Sequence, residues 1–145
     1  MSRFVKDYYN TNAEREQERL DMPLCRIEFV STLRLIDKYF PKQGQICDIG
    51  GATGRYTIEL LSKGYSVTLL DISDQSIKLA DIQLKENELS ADQLIIGDAR
   101  DMNMLPSGKY DAALMLGPMY HIVERAERSK ALQELKRILK PQGVA

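Results

Sequence analysis

The sequence has no tryptophan, one histidine and two cysteines in 145 residues, and its formal net charge is only −1, from 20 Lys+Arg against 21 Asp+Glu. Each scarcity excludes a class of protein. Cys25 and Cys47, 22 positions apart, match no zinc-ligand spacing, and with a single histidine no metal centre is expected. Both cysteines sit in apolar stretches and read as small buried hydrophobes rather than as a disulfide or a reactive thiol. Balanced charge argues against a protein held on nucleic acid or an anionic membrane by bulk charge. The longest unbroken apolar run, Ala112 to Leu116, is far short of the roughly 20 residues that span a bilayer. Met1 to Asp7 contains no apolar segment of the secretory type, so the expected location is the cytoplasm.

What is present suits one globular domain: 43% apolar and 28% charged residues, without repeats, low-complexity tracts or linkers. Tyr8-Tyr9 precedes a polar, helix-friendly segment from Ala13 to Leu20. From Pro23, apolar residues recur at Ile27, Val30, Leu33, Ile36 and Phe40, which predicts an amphipathic helix ended by Pro41. The period then changes. Gln45–Ile49, bounded by Gly44 and Gly50-Gly51, reads as a buried strand, followed by a helix from Arg55 to Lys63. A second strand lies within Tyr65–Asp71, and a third helix starts at the Ser73 cap with Ile77, Ala80, Leu84 and Leu89 inward. Gln93–Ile96 and Tyr110–Leu116 are the third and fourth strands. A last helix from Glu124 to Leu139 is closed by a Lys140-Pro141-Gln142-Gly143 turn. Strands alternating with helices imply βαβ units and a parallel sheet.

The chemistry is concentrated where strands end. The first strand runs into Asp48-Ile49-Gly50-Gly51-Ala52-Thr53-Gly54-Arg55, and a Gly-rich turn of this kind, opening into a helix, binds ligands in doubly wound sheets. The dinucleotide pattern Gly-x-Gly-x-x-Gly fails at Ala52 and Arg55, which disfavours a nicotinamide-dependent oxidoreductase. The spacing acid-x-Gly-x-Gly-x-Gly is matched by Asp48, Gly50, Ala52 and Gly54, with alanine replacing one glycine. Asp71 ends the second strand 21 residues after Gly50, the distance at which an acid accepts hydrogen bonds from ribose hydroxyls. Gly97-Asp98-Ala99 ends the third strand, Tyr110-Asp111-Ala112-Ala113 opens the fourth, and Leu139-Lys140-Pro141-Gln142-Gly143 closes the last helix.

In this order, over Ile46 to Gly143, the five motifs resemble those of class I S-adenosylmethionine-dependent methyltransferases. The resemblance implies an α/β three-layer sandwich with a mostly parallel, doubly wound, Rossmann-like sheet. It divides the chain into an N-terminal lid or helical segment, 1–22, and a cofactor-binding domain, 23–145. The cofactor implied is S-adenosylmethionine, leaving as S-adenosylhomocysteine. Its site would comprise Asp48, Gly50, Gly51, Ala52, Gly54, Asp71, Ile72, Asp98, Ala99, Leu116 and Gly117. Within it, Asp71 would face the ribose, and Asp98 with the N–H of Ala99 the adenine. Asp48 would either meet the methionine amino group or orient the turn through its backbone N–H groups. Alternatives remain for the others: a helix cap for Asp71, a solvated loop acid for Asp98.

Past the fourth strand, His121 is the candidate base for an acceptor proton and Tyr120 a candidate to stack on the acceptor or face the sulfonium, with packing as the alternative for each. Pro118 and Met119 would line the acceptor side. Tyr8, Tyr9 and Arg19 would reach the site from the lid, or simply anchor a surface helix. The other methionines read as packing residues, and Asp111, at the far end of its strand, as structural.

The family's sheet has about seven strands, so the C-terminal strands are expected to be missing here, leaving strand four as an exposed edge. That predicts a partial chain, or a second copy covering that edge as a homo-oligomer. The expected partner is a small-molecule methyl acceptor, neither membrane nor nucleic acid. A cofactor-binding module without turnover is the alternative function.

Overall fold

Short apolar runs bounded by glycine dictate the centre of the molecule. In the computed structural model, which describes residues 2–20 and 22–145, Gln45–Ile49 (β1) is flanked by Ser66–Asp71 (β2) and Tyr110–Leu114 (β4), with Gln93–Ile96 (β3) beyond β2 and Leu139–Val144 (β5) beyond β4. Every pairing is parallel and the order is β3-β2-β1-β4-β5. The order reverses between β1 and β4, the switch point at which such sheets bind ligands.

Successive strand residues face opposite ways, and β1 is apolar on both sides. Ile46 packs with Ile36, Phe40, Leu60, Val67 and Leu114, while Cys47 and Ile49 pack with Leu70, Met102, Leu105, Tyr110 and Ile138. Helices Pro23–Tyr39 (α2), Arg55–Ser62 (α3) and Asp74–Glu86 (α4) therefore cover one face, and Arg125–Ile138 (α6) covers the other. This is the expected three-layer arrangement. Cys47 is fully enclosed, and burial pushes its thiol up to about 12, which makes it inert. No helix among the described residues is long and apolar enough to cross a membrane.

The structure corrects three local expectations. The N-terminal helix (α1) runs from Ser2 to Leu20 and includes the tyrosine pair that was placed ahead of it. It is docked by tertiary contacts: Ala13 is buried, the Lys6 ammonium lies 2.6 Å from the Asp74 carboxylate, and the Asn10 amide oxygen accepts from Ser73 Oγ at 2.7 Å and Gln75 N at 3.3 Å. Met1 and Asp21, which the 1–22 segment includes, lie outside the described residues.

In α2 only the C-terminal half buries its apolar stripe. Ile36 and Phe40 are buried, whereas Ile27 and Val30 are 67% and 47% exposed. The first half is held instead through Phe29, whose ring lies 4.0 Å from the Arg55 guanidinium and 5.1 Å from the Tyr56 ring.

Strand four is not an edge, because β5 forms where a turn was expected. Leu139 is already extended directly after α6, and the β4–β5 ladder pairs Tyr110 with Leu139 and Ala112 with Val144 around an irregularity. Pro141 and Gln142 (φ +66°) occupy that irregularity, so the Lys-Pro-Gln-Gly turn survives as a bulge inside a strand.

Arg137 on α6 clasps the segment that leads from β3 to β4. Its guanidinium donates to Leu105 O at 2.9 Å and Met102 O at 2.8 Å while paired with Glu134, whose carboxylate accepts from Met102 N at 2.8 Å. Arg137→Met leaves those carbonyls without their donor and is expected to lower unfolding stability by about 1–3 kcal/mol. Urea denaturation measures this, and an unchanged midpoint refutes the clasp.

Candidate active site at the carboxyl edge of the sheet

The turns that leave β1, β2, β3 and β4 converge on a cavity of about 250 Å³. From β1 come Gly50 and Ala52; from β2, Leu70, Asp71 and Ile72; from β3, Gly97 to Arg100; after β4, Gly117, Pro118, His121 and Ile122. Helix α1 closes the top with Val5, Tyr9, Glu16, Arg19 and Leu20, and Val123, Glu124 and Glu127 complete the rim.

The turn after β1 is shaped by backbone that few residues tolerate. Gly50 has φ +71°, and a Cβ there would lie 2.5 Å from Pro118 Cδ, so only glycine lets the β1 and β4 turns meet. Ala52 also sits at positive φ (+48°), where a methyl group is strained by about 1–2 kcal/mol. A glycine at this position would be free of that strain, and Asp71 holds the alanine in it: Asp71 Oδ2 accepts from Ala52 N at 2.9 Å.

Asp71 Oδ1 accepts from Ser73 N at 2.8 Å, and Ser73, rather than Asp71, is the cap of α4, its hydroxyl accepting from Ser76 N at 3.1 Å. Burial raises the Asp71 pKa, opposed by these backbone donors and by His121. Asp98 is gripped by Arg100: Oδ1 accepts from Arg100 N and Nε, each at 2.9 Å, and Oδ2 from Nη2 at 2.6 Å. Burial opposes this pairing, but the guanidinium prevails and the Asp98 pKa is lowered. Arg100 Nη1 continues to Glu127 at 3.1 Å on α6.

Asp48 lies beneath the turn and not on the cavity wall. Thr57 Oγ1 donates to its Oδ2 at 2.7 Å, and a Cβ on Gly51 would sit 2.6 Å from that oxygen. Burial pushes the carboxyl up to about 6, with the Asp71 charge adding to this and the Thr57 hydrogen bond opposing it.

The cavity thus gathers Gly50, Ala52, Asp71, Ile72, Asp98, Ala99, Gly117, Pro118 and His121, with Tyr9 and Arg19 from α1. Gly51, Gly54, Leu116, Met119, Tyr8 and Tyr120 do not line it. Tyr120 is 83% exposed, because the four-residue helix Pro118–His121 (α5) turns it outward as it turns His121 inward. Tyr8 is half exposed, its hydroxyl donating to Glu16 at 2.8 Å, and Met119 packs into the core. Sequence reasoning missed Glu16 and Arg100, for which ion-pair spacing (Glu16–Arg19, Asp98-Ala99-Arg100) was the available signal, and Asn10, for which there was none.

Residues 46–143 match the family model described as "Methyltransferase domain". The chain belongs to the class I S-adenosylmethionine-dependent methyltransferase family. Among solved structures, the methyltransferase domain superposes on the PH0226 protein from Pyrococcus horikoshii with a TM-score of 0.77 at 26% identity, covering 86% of this chain and 57% of that one. It superposes on an S-adenosylmethionine-dependent methyltransferase from Methanosarcina mazei with a TM-score of 0.69 at 30% identity, covering 76% and 54%. Glycine/sarcosine N-methyltransferase of Parasynechococcus marenigrum (strain WH8102) is 31% identical over 103 residues, which is 68% of this chain and 35% of that protein. YqeM of Bacillus subtilis (strain 168), named as a provisional methyltransferase, is 26% identical over 112 residues, 75% of this chain and 43% of that protein. The chain therefore spans less than half the length of these two curated relatives.

The position of Asp48 in this methyltransferase domain predicts a pH effect. Its folded pKa, about 6, is above the ordinary value of 3.8, so the folded state binds more protons between those pH values and loses stability as pH rises through them. Asp48→Asn, which keeps an acceptor for Thr57, is expected to gain stability over the parent as pH increases from 4 to 7.5, by at most about 3 kcal/mol. Thermal unfolding across that range tests it; parallel curves for the two proteins would refute it.

Proposed function

We propose that this chain binds S-adenosylmethionine in the cavity and transfers its methyl group to a small-molecule acceptor, leaving S-adenosylhomocysteine. The observation that carries the proposal is the acceptor capacity left on the two acids. A carboxylate offers about four lone-pair positions. Asp71 commits two to Ala52 N and Ser73 N, which leaves two for a pair of ribose hydroxyls. Asp98 commits three to Arg100, which leaves one for a single amino N–H such as that of adenine.

The charge balance agrees. Five carboxylates on the wall (Glu16, Asp71, Asp98, Glu124, Glu127) face two guanidinium groups (Arg19, Arg100), which suits a ligand carrying a sulfonium and an ammonium. Arg19 gives Nε to Glu16 and Nη1 only to the Cys25 sulfur at 3.6 Å, so it keeps donors for a ligand carboxylate.

When bound, the cofactor supplies an already activated methyl group, so the protein's task is alignment and exclusion of water. In this reading the turn at Gly50 to Gly54 brings backbone close to the cofactor, and helix α1 forms the lid. His121 takes the proton that an oxygen or nitrogen acceptor must lose. A relative named for glycine and sarcosine supports a small acceptor.

Calorimetric titration with S-adenosylhomocysteine and, separately, with NAD tests the proposal. Binding of the first and not the second is expected, and Asp71→Ala is expected to cost about 1.5–3 kcal/mol of affinity. Binding of NAD alone overturns the proposal. Binding of S-adenosylhomocysteine without methyl transfer across an acceptor panel identifies a cofactor-binding module instead.

A further inference from the structure

The Tyr9 hydroxyl lies 2.9 Å from His121 Nε2, and the two rings meet edge to face at a centroid distance of 5.5 Å. This contact joins the middle of α1 to the segment after β4 across the top of the cavity, and both residues line it. It is the only hydrogen bond found for the Tyr9 hydroxyl among the described residues.

The Tyr9 ring is half-buried, and its pKa is raised, chiefly by burial and then by the Glu16 charge, with Arg19 opposing and Asp71 adding; the phenol stays protonated. Such a phenol can donate to Nε2, and the relay inferred below requires that direction, with the ring proton of His121 on Nδ1. The single lone pair of the candidate base is then already occupied by Tyr9.

We infer that Tyr9 is a catalytic residue, a proton relay through which His121 acts on the methyl acceptor. The acceptor X–H donates to Tyr9 Oη. As X gains the methyl group its proton passes to Oη, the original phenol proton passes to Nε2, and the phenol is regenerated beside an imidazolium. One proton leaves the acceptor and one arrives on His121; an electron pair of X forms the bond to the methyl carbon as the methyl–sulfur bond breaks, and the pair of that broken bond stays on the sulfur of the departing thioether. This inference rests on the methyltransferase proposal above. It also assigns α1 a chemical role, because the lid brings half of the relay.

His121 is the only histidine, so its ring nitrogens are unambiguous in the ¹⁵N spectrum of the labelled full chain. The expected result is a neutral ring protonated on Nδ1 in the wild type and a shift toward the Nε2–H tautomer in Tyr9→Phe. Turnover of Tyr9→Phe with any acceptor that the wild type methylates should fall about 10²-fold, while S-adenosylhomocysteine affinity stays within about threefold of the wild type. A wild-type ring protonated on Nε2 overturns the relay without recourse to any variant. Intact cofactor binding with unchanged turnover in Tyr9→Phe also removes the relay and leaves the methyltransferase proposal standing. A wild type that does not bind S-adenosylhomocysteine removes both.

Discussion

Two backbone N–H groups, from Ala52 and Ser73, converge on one carboxylate at the end of β2, and the site depends on that convergence. Asp71 holds a strained alanine in the β1 turn with one oxygen and the start of α4 with the other. Ser73 in turn donates to Asn10, which brings α1 into the same network. A buried acid would ordinarily be a liability. Here it joins the β1 turn and the start of α4 directly, and α1 through Ser73, and it keeps acceptor capacity facing the cavity.

The second constraint is steric. The β1 and β4 turns touch where Gly50 lacks a side chain and Pro118 supplies one. That contact sets the width of the cavity at the switch point and orients α5, which decides that His121 faces inward and Tyr120 outward. The shape of the cavity is thus fixed by backbone geometry before any side-chain chemistry is considered.

Much of this was legible in the sequence. Periodicity marked β1 to β4 and the helices between them, because each strand is a short apolar run bounded by glycine or a turn. The acids at the strand ends were legible for the same reason: once the alternation is fixed, Asp71 and Asp98 must lie at the carboxyl edge. What was not legible depended on tertiary placement. Ile27 and Val30 have helical spacing but lie where α2 no longer covers the sheet. Asp48 belongs to the motif yet lies under the turn, since a buried strand's last polar residue can point to either side. The role of Asn10 is set by a partner 63 residues away, and β5 was hidden by a proline that is tolerated only because the strand bulges there.

The outer strands of the sheet have a further consequence. β3 has only four residues, and β5 carries Lys140, Pro141 and a kink at Gln142. Neither strand therefore offers a long, flat row of backbone donors and acceptors: one is too short, and the other is bent out of line by its own proline and left-handed residue.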